Sequence, residues 1–137
     1  MKIICFDFGD KRIGVANSDI GESFAFAGST LYVNGLEDAV QKSTEAVKQN
    51  DAKKIVVGLP KNMDGTEGIR AELCREFADR LKEATGLPVT MWDERRTTVE
   101  AHNILSQHNY HGKKRKNTVD AVAASLILEG YLAFRKR

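Results

Sequence analysis

Three acidic positions carry the chemistry that this chain of 137 residues can offer. Asp7 interrupts an apolar run, Ile3 to Phe8, just ahead of Gly9; the Asp93-Glu94 pair follows directly on the apolar segment ending at Trp92; Asp120 stands three residues after Asn117, where a helical pattern begins. Carboxylates that converge from distant parts of a chain suit hard divalent cations, because oxygen ligands hold Mg²⁺ or Mn²⁺ and leave positions for water and a substrate phosphate. One or two such ions would stabilise the attacking and leaving oxygens of a phosphodiester displacement. The reaction expected of such a cluster is metal-assisted hydrolysis.

Each acid also has a structural explanation. A carboxylate buried without compensation costs several kcal/mol or loses its charge, so Asp7 needs a metal ion, a basic neighbour such as Lys11 or Arg12, or a proton. Asp93 and Glu94 can be surface residues leaving a strand, and Asp120 fits a helix N-terminus on dipole grounds alone. Their joint distribution is more telling than any one of them.

The elements that position these acids follow from periodicity. Residues 3–8 and 12–18 form a hairpin, with a third antiparallel strand from Phe24 to Tyr32. Residues 35–50 carry Leu36, Ala39, Val40, Ser43 and Val47 at helical spacing, and the apolar run Ile55 to Leu59 reads as a buried strand ended by Pro60. The polar stretch KNMDGTEG then leads into a helix with Ile69, Leu73, Phe77, Leu81 and Ala84 on one face, stopped by Gly86 and Pro88. Within that stretch Asp64-Gly65-Thr66 reads as a turn followed by a helix cap.

Val89 to Trp92 is a fifth strand. A helix is expected from Thr97 or Thr98 to about Gln107, with Thr97 and Glu100 at capping-box spacing, then a basic loop and a final helix capped by Asn117. Strands alternating with helices in the second half require parallel crossovers. The expected fold class is therefore α/β: a mixed five-stranded sheet, three antiparallel then parallel strands, in one domain over residues 1–137, with helices on both faces.

Composition narrows the function further. The net charge of +2 conceals an asymmetry: residues 111–137 hold seven basic groups and two acids, a local +5, leaving −3 on residues 1–110. This points to a local contact with a polyanion, although a solvated loop and tail would have the same composition. No apolar run is long enough to span a bilayer and no signal-peptide pattern opens the chain, so no membrane partner and a cytoplasmic location are expected. Cys5 and Cys74 have no CxxC spacing and read as buried thiols. His108 and His111 lack a third ligand at metal spacing. Tyr110 has the type of side chain that stacks on bases, whereas Trp92 reads as core.

Basic residues adjoin every candidate acid. Lys11 and Arg12 follow Asp7; Arg95 and Arg96 follow Glu94; Lys113, Lys114, Arg115 and Lys116 precede Asp120; Lys61 opens the polar stretch after Pro60. Such groups would hold phosphates over bound metal. Gly9 and Gly14 would allow close backbone approach at the first turn.

Four ordered segments, FDFGDKRIGVANSD, VGLPKNMDGTEG, WDERRTTVEA and NTVDAVAASLIL, together resemble the YqgF family, also called RuvX, of Holliday junction resolvase-like nucleases with a ribonuclease H-like fold. The resemblance spans nearly the whole chain. It implies a bacterial nuclease acting on the 5′ end of precursor 16S ribosomal RNA, with metal-binding and catalytic roles on Asp7, Glu94 and Asp120. An older inference, by similarity to RuvC, is cleavage of four-way DNA junctions, which calls for a symmetric homodimer to make paired cuts. RuvC has an acid at the end of the fourth strand where this chain has Leu59 and Pro60, so that role would pass to Glu94. One turn after Asp120 stands Ala123, leaving three ligands and a second metal dependent on substrate phosphate. A binding module that no longer cuts, and a phosphotransferase of the actin and sugar-kinase type, are the competing classes; the second needs two lobes, for which the chain is too short.

Overall fold

The computed structural model describes residues 1–96 and 112–135. Its elements run β1 (Ile3–Phe8), β2 (Arg12–Ser18), β3 (Ala25–Tyr32), α1 (Leu36–Gln49), β4 (Lys54–Leu59), α2 (Ile69–Thr85), β5 (Val89–Asp93), a short 3-10 turn (Glu94–Arg96) and α3 (Gly112–Arg135). The strands form one sheet in the order β3-β2-β1-β4-β5, antiparallel through the first three and parallel from β1 to β4 to β5. This is the mixed sheet that the apolar runs require. Among the described residues no helix is long and apolar enough to cross a membrane.

Side-chain alternation along the strands divides the core in two. Ile4, Phe6, Phe8, Ile13, Val15, Ile55 and Val57 face α1 and α2, where Phe77 packs edge-on to Phe6 and stacks on Phe8 at 4.6 Å between ring centroids. Ile3, Cys5, Ala16, Val56 and Trp92 face α3, meeting Ala124, Ile127, Leu128 and Leu132. Full burial of side chains such as Phe6, Phe77 or Leu81 is worth roughly 1.5–3 kcal/mol each. Trp92 is core, as its sequence position suggested, with its ring against Tyr131 and Phe134.

Several local expectations change. Ile69 is 77% exposed instead of lying on the buried face of α2, because it is the helix's first residue and the buried stripe starts at Ala71 and Cys74. The cap of α2 is Gly68, not Thr66, whose hydroxyl instead closes a turn on Asp64 Oδ1 at 2.7 Å. Helix α3 already begins at Gly112, so residues 113–116 form helix and not loop, and Asn117 and Asp120 lie inside it. Lysine and arginine are good helix formers, and that propensity continues the helix back through the basic run. The helix expected over 97–107, with Thr97, Glu100, His108, Tyr110 and His111, falls outside the described residues.

Candidate active site

The register of β1 decides which acid faces which helix. Cys5 belongs to the core under α3, so Asp7, two residues on, points to the same face at the strand's end. Its partner across the antiparallel ladder is Gly14 of β2. A Cβ built on Gly14 would lie 2.0 Å from the Asp120 carbonyl oxygen and 3.2 Å from the Asp120 Cα. The backbone of α3 therefore rests directly on β2 at Gly14, and this contact delivers Asp120 to the neighbourhood of Asp7. Arg12, on the same face of β2, donates from Nε to Asp120 Oδ2 at 2.8 Å. Neither basic neighbour considered for Asp7 pairs with it in this way.

Asp7 and Asp120 line one cleft of about 290 Å³ whose rim carries Lys11, Arg12 and Arg70. Glu94 approaches from the other side. Gly58 of β4 sits opposite Trp92 in the ladder, and a Cβ there would come within 3.1 Å of Glu94 Cγ and 3.2 Å of its Cδ. The missing side chain at Gly58 thus makes the space through which Glu94 folds back over β4. Its neighbour Asp93 is committed elsewhere: Arg95 donates to its two carboxylate oxygens, from Nη2 at 2.7 Å and from Nε at 3.0 and 3.1 Å. Of the pair, Glu94 is the one that lies within the field of Asp7.

The electrostatics agree with this grouping. Burial pushes the Asp7 carboxyl up to about 6, opposed by the Arg70 guanidinium and reinforced by the charge of Asp120. Glu94 is raised to about 7 by burial and then by the charge of Asp7, again opposed by Arg70. Asp93 stays below the usual range because Arg95 holds its ionised form. Behind the acids, burial together with Asp7 and Glu94 keeps the Cys5 thiol protonated.

Oxygen donors poised against one another in a partly buried site fit a hard divalent cation, whose positive charge would favour the ionised forms that burial and mutual repulsion disfavour. Among the described residues no three His, Cys, Asp or Glu side chains stand close enough to hold one ion together. Mg²⁺ is commonly held by one or two carboxylates with water and phosphate completing its sphere, and that smaller protein share is what Asp7 with Glu94 or Asp120 can give.

Arg70 had no sequence signal, being one basic residue among several on an amphipathic helix. It reaches from the first turn of α2 to donate to the Phe8 carbonyl at 3.3 Å and lies within the field of both Asp7 and Glu94. Of the other expected phosphate contacts, Lys11 is exposed at the cleft, Arg12 holds Asp120, and Lys61 stands 4.0 Å from Glu67. Arg95 braces Asp93 and also donates to the Met63 carbonyl at 3.3 Å. The side chains of Arg96, Lys113, Lys114, Arg115 and Lys116 lie outside the described residues.

A "Putative pre-16S rRNA nuclease" of Halothermothrix orenii is 41% identical over 137 residues, covering 100% of this chain and 98% of that protein. One of the same name from Bacillus thuringiensis is 45% identical over 134 residues, 96% of this chain and 98% of the relative. Among solved structures, Thermus thermophilus RuvC in complex with a Holliday junction substrate superposes with a TM-score of 0.63 at 10% identity, covering 98% of this chain and 96% of that one. At that identity the likeness speaks for the fold, which is ribonuclease H-like. The family described as "RuvX: Holliday junction resolvase" matches residues 1–134, and with relatives above 40% identity over their near-full length, the chain belongs to the RuvX family.

Proposed function

We propose that this protein is a divalent-metal-dependent nuclease that hydrolyses phosphodiester bonds, with the 5′ end of precursor 16S ribosomal RNA as its substrate and the bacterial cytoplasm as its place of work. The observation that carries the reading is the seating of α3 on Gly14, which brings Asp120 into one cleft with Asp7 beneath a basic rim. The names of the full-length relatives supply the substrate.

Asp7 with Glu94 or Asp120 would hold Mg²⁺ or Mn²⁺, water and substrate phosphate completing the sphere. The bound cation supplies Lewis-acid polarisation of the phosphate and stabilises charge on the attacking and departing oxygens. Lys11 and Arg70 receive the strand's phosphates, Arg70 by the planar fork that matches phosphate oxygens. Arg12 donates to Asp120 Oδ2 and so competes with a cation for that oxygen. Where Asp120 shares the ion with Asp7, Glu94 is left to accept the proton of the attacking water and pass it to the departing oxygen as the phosphorus–oxygen bond breaks.

The test compares the native chain with Asp7→Asn on a precursor 16S leader and on a four-way DNA junction, in Mn²⁺ and in EDTA. Cleavage of the leader by the native chain in Mn²⁺ alone, abolished in the folded variant, is the expected result. Undiminished cleavage by Asp7→Asn would refute the assignment, and cutting of neither substrate would leave a binding module. A second reading, resolution of four-way DNA, is favoured by the description of the family. Preferential junction cutting by a two-fold dimer would establish it in place of the RNA reading.

A further inference from the structure

The loop between β4 and α2, residues 60–68, is built more firmly than a connection needs to be. Asn62 N–H donates to the Thr66 carbonyl at 2.8 Å, Gly65 N–H to the Asn62 carbonyl at 2.9 Å, and Asn62 Nδ2 to Thr66 Oγ1 at 2.9 Å. Thr66 in turn donates its N–H and hydroxyl to Asp64 Oδ1, and Gly65 takes a φ of 91° that favours glycine. Arg75 grips Glu67 through two bonds of 2.7 and 2.8 Å at the loop's far end. At the centre of this frame Met63 is 94% exposed.

Two further facts give the exposed thioether a direction. Arg95 ties the Met63 carbonyl to the turn that begins with Glu94, so the tip is fixed relative to the acids of the cleft. The same loop carries Lys61 and ends two residues before Arg70, which lines the cleft. An apolar tip between Lys61 and Arg95, tied through Arg95 to the turn of Glu94, has the polarity of a nucleotide: base against methionine, phosphates against lysine and arginine. A polarisable sulfur packs well on aromatic faces, and methionine is among the side chains that wedge between bases. A continuous duplex hides its base faces, whereas an unpaired nucleotide presents one.

Resting on the nuclease reading, we propose that Met63 forms a subsite for an unpaired nucleobase next to the phosphate in the Asp7 cleft, so that the protein selects strands with an unstacked nucleotide beside the scission point. The probes are a single-stranded RNA carrying 2-aminopurine and its fully paired duplex. Both are titrated in Mg²⁺ against Asp7→Asn, which keeps them intact, and against the same chain with Met63→Ala, Met63→Leu or Lys61→Ala.

Met63→Ala is expected to weaken single-strand binding roughly fivefold, the lower edge of what aromatic base platforms give, and to abolish the change in aminopurine emission. Its salt slope stays that of the parent, since no phosphate contact is lost, while Lys61→Ala lowers the slope. Duplex affinity is unchanged by Met63→Ala, and Met63→Leu restores the single-strand affinity. Native affinity and emission in Met63→Ala would overturn the subsite, as would equal weakening toward both probes; the cleavage reading would survive either. Failure of every chain to bind either probe would remove the nuclease reading together with it.

Discussion

Gly14 and Asp120 touch through their backbones, with room for nothing larger than hydrogen between them. A methyl group on Gly14 would meet a helix carbonyl at 2.0 Å, and a carbonyl in a helix cannot rotate away. Gly14→Ala therefore forces α3 off the sheet. Overpacking of this kind costs about 1–3 kcal/mol or more, equivalent to a loss of about 3–4 °C in melting midpoint per kcal/mol for a chain of this size. Gly58→Ala meets only flexible ends, Ile127 Cδ1 at 2.9 Å and Glu94 Cγ at 3.1 Å, so its midpoint moves less while its cleavage falls sharply. Thermal melts beside cleavage rates distinguish the two variants, and equal behaviour would contradict the packing described.

Without metal, stability near neutrality falls as the solution becomes more alkaline. Folding raises Asp7 from 3.8 to about 6 and Glu94 from 4.5 to about 7, so between those limits the folded chain holds more protons than the unfolded one. The contribution is favourable at the acid end of this window and is lost as pH rises through 6 and 7. At 1.36 kcal/mol per pKa unit, discounted for solvent and for sharing of charge, the loss is on the order of 1–2 kcal/mol. Melts in EDTA at pH 5.5 and pH 8 should show the lower midpoint at pH 8, with Asp7→Asn flattening the difference and Mg²⁺ restoring the alkaline side. Arg70→Ala, by removing the charge that opposes both shifts, moves the window upward. A metal-free midpoint that rises across this range contradicts the arrangement.

Arg12 competes with a cation for Asp120. Its Nε lies 2.8 Å from Oδ2, in a pair that is only partly shielded from water and is worth about 0.5–1 kcal/mol. Arg12→Ala should release the carboxylate, tightening Mn²⁺ binding measured by calorimetry a few-fold while weakening affinity for a single-stranded oligonucleotide. Looser Mn²⁺ binding in this variant would mean that Arg12 orients Asp120 for the metal instead of competing with it.

The two cysteines should be inert in the native protein. Cys5 and Cys74 are both buried, with the Cys74 thiol pushed up to about 12 by burial and by Glu94, and only the thiolate reacts. A disulfide-exchange reagent should find no reactive thiol in the native chain and 2 after denaturation. Rapid labelling of the native chain would show that the sheet opens locally.

The sheet and the place of Asp7 within its first strand were legible because apolar runs of five or six residues have few alternatives to buried strands; the face that Asp7 takes emerged only from the packing of α3. The start of α3 was misread for a physical reason: Asn117 has the form of a cap, yet lysines and arginines ahead of it propagate helix as readily as they populate loops. Which of Asp93 and Glu94 turns inward depended on Arg95 reaching back to Asp93, a contact between side chains that spacing does not encode. Gly58 lay hidden in an apolar run, its importance set by what crosses above it. Arg70 was invisible because its partners, the Phe8 carbonyl and the fields of Asp7 and Glu94, come from elements far away in the chain.

Helix α3 supplies its carboxylate to a strand more than a hundred residues earlier, and the Arg12–Asp120 bond spans 108 positions. During synthesis the first hairpin emerges long before its acidic counterpart exists, so the nascent polypeptide lacks the complete constellation. On the proposed function, completion of translation is the arming step, and a truncated product ending before α3 would cut no RNA.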